Sequence, residues 1–211
     1  MRVVVLGAAG QLGREVVRIL SARGHVICAA VRRPPVPAFE PSVEIRLVDA
    51  RNKAELLATI SGFDAVVNVI GGGTLRKNDI ASTTTRVAVA AAEEVGVHRY
   101  VAMSAGMVAI DWALFNYVLR PLIFRHIVAE HRRVEEIVKA STLAWTIVRP
   151  TALTNRLETG YVASLELQPK TFVTARVDVA AFIADELEND CYIRQPVFVT
   201  SRLLLPRPTR H

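Results

Sequence analysis

The sequence predicts an α/β fold: a doubly wound parallel sheet with helices on both faces, forming one domain over residues 1–211. Three observations predict it. Apolar runs of strand length alternate with helix-period segments along most of the chain. The first strand and first helix are joined by a glycine-rich turn. A chain of 211 residues with 51% hydrophobic content is long and apolar enough for one sizeable core.

The elements follow in order. Arg2–Leu6 reads as a buried strand and runs straight into Gly7-Ala8-Ala9-Gly10-Gln11-Leu12-Gly13. An amphipathic helix pattern follows over Arg14–Ala22. His25–Val31 is a second apolar run, ending in Arg32-Arg33. Pro34–Pro41 holds four prolines and reads as a surface loop. Val43–Val48 is a third strand, closed by Asp49-Ala50, and Lys53–Ile60 a short helix. Ala65–Ile70 is a fourth strand, closed by Gly71-Gly72-Gly73. Ile80–Val95 is an alanine-rich helix ended by Gly96. Arg99–Met103 is a fifth strand, closed by Ser104. Ala129–Ala140 is a helix, and Trp145–Arg149 a sixth strand stopped by Pro150. Phe172–Thr174 reads as a short strand, Val177–Glu188 as a helix and Val197–Thr200 as the last strand. No repeat and no second self-sufficient domain is visible. Residues 150–175 form a small substrate-side region, and 107–128 an apolar, lid-like segment.

The opening strand–turn–helix–strand unit names a ligand class. Gly7 permits the tight turn, Gly10 lets the backbone approach a pyrophosphate, and Gly13 lets the helix pack on the sheet. The pyrophosphate would sit on the N–H groups at the helix N-terminus, where the macrodipole favours an anion. The spacing is G-x-x-G-x-x-G, and its place between strand and helix supplies the context such a motif needs. An ordinary glycine turn is the plainer alternative. A site for NAD carries an acid about 20 residues beyond the glycines. Here Val31-Arg32-Arg33 stands instead, and guanidinium groups suit a 2′-phosphate. The expected cofactor is therefore NADP(H). The plainer alternative is that both arginines are solvated loop residues.

The ligand in such a sheet lies beyond the carboxyl ends of the strands. The expected cofactor set there is Gly7, Ala9, Gly10, Gln11, Leu12, Gly13, Arg32, Arg33, Asp49, Ala50, Ile70, Gly71, Gly72, Met103, Ser104, Pro150, Thr151, Ala152 and Leu153. Asp49 fits either an adenine amino contact or a helix N-cap.

Bulk properties exclude other classes. The net charge is +6 with pI near 9.8. The basic residues are dispersed, part of the excess lies in Arg202–His211, and aromatics make up 6%. A nucleic-acid reader is not expected. The two cysteines, Cys28 and Cys191, form no framework, and Cys28 falls in a core strand. A reduced, cytoplasmic, metal-free protein is the expectation. His126 and His131 are five apart and do not share a helix face as a metal pair would. The opening apolar run is a strand rather than a signal peptide. Arg120-Pro121 and Arg125-His126 interrupt the apolar stretch 112–128, so it is no transmembrane helix. That stretch would instead serve as a lid, a weak membrane contact, a homodimer surface or a protein-partner contact.

With these residues placed, the chain resembles the atypical short-chain dehydrogenases/reductases. More narrowly, it resembles the NAD(P)H-binding group that includes flavin reductase/biliverdin reductase B and the NmrA-like proteins. The resemblance runs from Arg2 to about Val199. It is carried by Val4–Gly13, Gly96–Ala105, Thr146–Thr154 with Thr159-Gly160-Tyr161, and Asp178-Val179-Ala180. It implies a Rossmann-like fold and a pocket above the nicotinamide for a planar, conjugated acceptor such as a flavin, linear tetrapyrrole or quinone. Pro150–Thr154 would border the nicotinamide, on a path that the Arg149-Pro150 junction keeps extended.

The chain also departs from the wider pattern. Tyr117 and Tyr161 are followed four residues later by Pro121 and Leu165, so neither starts a Tyr-x-x-x-Lys pair. His131 stands where many atypical members carry a lysine, and Ala152 where the biliverdin reductase B type carries a histidine. Ser104 matches the family's active-site serine and would bond the nicotinamide amide or a substrate oxygen; a turn cap is its plainer role. His131 could donate a proton, although a surface histidine on a charged helix face is the plainer reading. Glu135 and Glu136 read as solvated, or paired with Arg132 or Lys139. Trp112, Phe115 and Tyr117 line either the pocket or the core.

Two functions follow. One is an NADPH-dependent oxidoreductase that moves a hydride to a flavin, quinone or other conjugated acceptor. The other is a non-catalytic NADP(H) sensor acting through a protein partner. A lipid- or quinone-directed assembly factor is a third, resting only on the apolar segment.

Overall fold

The computed structural model describes residues 1–71, 78–109, 124–157, 159–167 and 173–202. Gly72, Gly73, Trp112, Phe115, Tyr117 and Phe172 lie outside the described residues, as does most of the apolar segment and of the basic tail.

Alternation of side chains builds the sheet. In β1 (Arg2–Leu6), Val3 and Val5 face one hydrophobic layer while Val4 and Leu6 face the other. All four are at most 1% exposed, as a strand covered by helices on both faces must be. The chain continues through α1 (Gln11–Ala22), β2 (Val26–Val31), β3 (Glu44–Leu47), α2 (Lys53–Ile60), β4 (Ala65–Asn68) and α3 (Ile80–Glu94). Then come β5 (Arg99–Met103), a single 3-10 turn (Gly106–Ala109), α4 (Arg125–Lys139), β6 (Ala144–Pro150) and β7 (Ala152–Thr154). The chain ends with β8 (Tyr161–Ser164), β9 (Val173–Ala175), α5 (Arg176–Asn189) and β10 (Gln195–Ser201).

The eight-stranded sheet has the order β3-β2-β1-β4-β5-β6-β10-β8. All its pairings are parallel except β8, which runs antiparallel to β10. Helices α1 and α5 pack on one face; α2, α3 and α4 cover the other. Strand order reverses between β1 and β4, which opens a crevice at their carboxyl ends. The doubly wound sheet expected from the sequence is thus present. Among the described residues no helix is long and apolar enough to cross a membrane.

Several boundaries differ from expectation for visible reasons. Helix α1 begins at Gln11 rather than Arg14, because Gly10 is its cap and Arg14 N–H already bonds Gly10 O at 3.0 Å. Strand β4 ends at Asn68 rather than Ile70, because the Asn68 side-chain oxygen accepts the Ile70 N–H at 3.1 Å and turns the chain out of the ladder. Asn68 is itself held by donating to Thr85 Oγ1 and the Tyr100 hydroxyl in the core. Strands β7 and β8 were not expected. Strand β7 pairs with β9 in a separate two-stranded sheet beyond the end of β6.

Candidate active site

The glycine turn is built by three different constraints. Gly7 has φ +84°, in the region that favours glycine, and a Cβ there would stand 3.0 Å from Ile70 Cγ1. A Cβ at Gly13 would lie 2.2 Å from Gly7 O, so the start of α1 lies directly against the turn. Gly10 is extended and caps α1 without a side-chain bond, and the first turn of α1 carries no acid. Its positive pole therefore meets no anion of the protein's own there.

Beyond this turn lies a cavity of about 360 Å³ over the β1/β4 crevice. Of the residues expected there, it is lined by Gly7, Ala9, Gly10, Arg32, Asp49, Ala50, Ile70 and Gly71. Leu12 and Gly13 are buried in the first turn of α1 and stand behind the cavity wall. Gln11 lines a neighbouring pocket instead. Arg33 is exposed and does not line the cavity.

The lining also includes residues outside the expected set: the strand-end residues Leu6, Ala30, Val31, Val48 and Val69, and Arg51, Ile80 and Thr84. Arg51 matters most. Its Nε and Nη2 grip the two Asp49 carboxylate oxygens at 2.9 and 2.6 Å, and its N–H bonds Oδ1 at 3.0 Å. The Arg51 side chain and backbone, aided by the Arg32 charge, pull the Asp49 carboxyl down to about 2. Asp49 is not the N-cap of α2; Asn52 is, accepting from Ala54 and Glu55 N–H. Asn52 lies directly before the helix, whereas Asp49 has turned to Arg51. Its charge is thereby balanced, and Arg32 is left as a cation on the rim.

At the carboxyl ends of β5 and β6, outside the cavity lining, Glu135 organises a second cluster. Ser104, at the end of β5, donates its N–H to Val148 O and its hydroxyl to Glu135 Oε1, both at 2.8 Å. Arg149 on β6 grips the same carboxylate bidentately, at 2.8 and 2.6 Å, and Lys139 adds a bond at 3.1 Å. Burial pushes the Glu135 carboxyl up, but Arg149, Ser104 and Lys139 outweigh it and hold it below the usual range. Glu135 is thus 3% exposed, a correction to its reading as a solvated side chain. The inward turn of this α4 face is made affordable by Arg149, the countercharge supplied across the sheet.

His131, one turn earlier, is also buried rather than on a surface, at 9% exposure. Burial lowers its pKa despite the nearby Glu130 and Glu135 charges, so the imidazole is neutral at pH 7. Among the described residues, its Nδ1 is the buried side-chain nitrogen or oxygen atom without a hydrogen-bond partner. Glu130 is buried too; its carboxylate accepts the Ser82 N–H at 2.7 Å and hydroxyl at 3.0 Å, joining α4 to the start of α3. Met103 is buried at the end of β5 and Pro150 at the end of β6. Thr151 Oγ1 meets Thr174 Oγ1 at 2.7 Å, and Ala152 and Leu153 lie in β7. Gly72 is outside the described residues.

Known proteins resemble this chain in sequence and fold. The model of a family described as NAD(P)H-binding matches residues 7–190. The chain is 29% identical over 197 residues to the uncharacterised sugar epimerase YhfK of Bacillus subtilis (strain 168), covering 90% of this chain and 89% of that one. A wide-type short-chain dehydrogenase/reductase from Veillonella parvula, solved in complex with NADP, superposes with a TM-score of 0.80 at 20% identity, covering 95% and 94% of the two chains. SP1627 of Streptococcus pneumoniae, a proposed NADH-flavin reductase, superposes at 0.79 with 22% identity over 96% and 100%. These two likenesses establish the Rossmann-like fold. The matched span covers most of the chain and includes both the glycine turn and the Ser104–Glu135–Arg149 cluster, and the chain belongs to the NAD(P)H-binding family.

Proposed function

We propose that this protein is an NADPH-dependent reductase that delivers a hydride to a flavin, a quinone or another conjugated acceptor. The observation that carries the cofactor choice is the rim of the cavity. Arg32 stands there as a cation, while the one carboxylate beside it, Asp49, is held by Arg51. A 2′-phosphate would be drawn to Arg32 and Arg51, and the absence of an acid at the end of β2 leaves a ribose 2′-hydroxyl without its usual partner. Gly7, Gly10 and the uncapped pole of α1 fit the pyrophosphate, since the cradle is one that a Cβ would fill.

The nicotinamide supplies the hydride when bound. The chain's own part is to hold the ring and exclude water. Ser104 Oγ, whose own proton points to Glu135, would accept a hydrogen bond from the carboxamide N–H. His131, kept neutral by burial, contributes a hydrogen bond rather than an imidazolium proton. That suits a flavin acceptor, which would take the hydride supplied by a bound nicotinamide and its proton from water rather than from His131. One observation favours the sensor reading: the Ser104 hydroxyl donates to a protein carboxylate rather than into the crevice.

The deciding test is NADPH oxidation, followed by loss of nicotinamide absorbance, with FMN, riboflavin and a small quinone as acceptors and NADH in parallel. Turnover with NADPH supports the reductase. Saturable NADPH binding without oxidation by any acceptor would replace it with the sensor.

A further inference from the structure

A second pocket, of about 370 Å³, opens where Gln11 follows the cavity-lining Gly10. It lies between the first turns of α1 and α5, with Glu15, Asn155, Arg156 and Arg176 in its wall. Arg176 is the first residue of α5, next to a positive helix pole that Ala175 leaves without a side-chain cap and that the buried first-turn acid Asp178 offsets. Asn155 Oδ1 accepts Arg176 Nη1 at 2.6 Å, which fixes the guanidinium but supplies no charge. Glu15 is turned to Arg18, at 3.0 and 2.9 Å. Asp178, the acid in the first turn of α5, is fully buried and accepts the Thr159 and Gly160 N–H groups at 3.1 and 3.0 Å. Arg156 has no hydrogen bond or ion pair among the described residues. Two guanidinium groups thus line one pocket, and among the described residues the nearby carboxylates, Glu15 and Asp178, are bonded to other groups.

We propose that this pocket receives a phosphate or carboxylate carried by the acceptor, so that the protein selects anionic acceptors over neutral ones with the same ring system. Position supports the assignment to the acceptor. The pocket begins past the glycine turn, away from the Arg32 rim, and its Asn155–Arg156 wall continues from β7 on the substrate side. The inference rests on the reductase reading for its use, yet binding alone can test it.

FMN and riboflavin share ring and ribityl chain and differ by one phosphate. Their binding to protein saturated with NADP⁺ is read by quenching of flavin fluorescence. FMN should bind about tenfold more tightly than riboflavin. Arg156→Ala and Arg176→Ala should each move that ratio towards one, and NADPH affinity, titrated separately, should shift by less than about twofold. Arg156 is exposed, so its variant remains informative if the Arg176 variant misfolds. Equal binding of the two flavins, or binding of neither, overturns the proposal. So does a parallel loss of NADPH affinity, which would give the arginines to the cofactor's pyrophosphate. A preference for FMN in binding, with no NADPH oxidation by FMN, riboflavin or the small quinone, would sink the reductase reading and leave the anion pocket standing.

Discussion

Alanine at Gly13 and alanine at Gly10 should damage this protein in different ways, although both lie in one turn. A Cβ on Gly13 would meet Gly7 O at 2.2 Å, Ala8 Cα at 2.8 Å and Gly7 C at 2.9 Å. Ordinary contact starts at 3.4 Å, so the helix and turn must part by about 1.2 Å. All three obstacles are backbone, and no side chain can rotate away. Overpacking of this kind costs about 1–3 kcal/mol or more, and the upper end applies here. Replacing glycine within a helix returns up to about 1 kcal/mol, so the packing term wins. The net loss is about 2 kcal/mol, or a fall in Tm of roughly 4–8 °C for a chain of this size. Gly10→Ala meets only Gly7 O, at 3.2 Å, and its extended backbone accepts alanine. Its stability should change by less than about 1 kcal/mol. The new methyl group would stand at the cavity wall, however, and NADPH affinity should fall about tenfold or more. Thermal unfolding by circular dichroism and titration of nicotinamide fluorescence separate the two effects. Gly13→Ala with an unchanged Tm, or Gly10→Ala with unchanged affinity, would refute this division of roles.

Other consequences centre on α4. Glu135→Gln keeps the shape but leaves Arg149 without its countercharge, and should cost about 3 kcal/mol in chemical denaturation; a loss below about 1 kcal/mol would mean that water reaches the pair. Because the folded Glu135 carboxyl lies below the ordinary glutamate value of 4.5, its contribution is present above that pH and is lost as pH falls through the lower folded value. The slope of stability against pH in that acid range should therefore be shallower in Glu135→Gln. His131 works at higher pH. Its folded pKa is lowered from 6.5, so the unfolded chain takes the proton first and stability declines as pH drops below about that value; His131→Gln should flatten this part of the curve, and an identical profile would show that the imidazole is solvated. Ser104→Ala should lose about 1 kcal/mol with its bond to Glu135 and slow turnover with the best acceptor; unchanged kinetics would confine Ser104 to holding Glu135.

The cofactor half of the molecule was legible because its signals are local. Val3–Leu6 are buried on both faces, so the strand reads as an unbroken apolar run, and the glycines that follow are required by backbone geometry within the same turn. Cys28 fell correctly in the core for the same reason. The acceptor half depends on partners far apart in sequence. Glu130, His131 and Glu135 sit in Ala129-Glu130-His131-Arg132-Arg133-Val134-Glu135-Glu136, which has the composition of a solvated helix face. Their burial is decided by Ser82 and by Arg149, neither of which helical spacing reveals. Strand β7 has three residues and exists through its pairing with β9, so no periodicity announces it, whereas β9 lies where a short strand was expected. Arg51 was within reach: two residues beyond Asp49, it could have been read as the partner that takes that acid out of contention as a cap.

The central claim is that the crevice binds NADPH through its 2′-phosphate, and titration of NADPH and NADH against the unaltered protein and against Arg32→Ala and Arg51→Ala tests it most directly. The account predicts saturable binding of both cofactors, with NADPH favoured by about tenfold or more and the preference reduced in each variant chiefly through weaker NADPH binding. Equal affinity for the two cofactors, or equal losses for both in the variants, would contradict it.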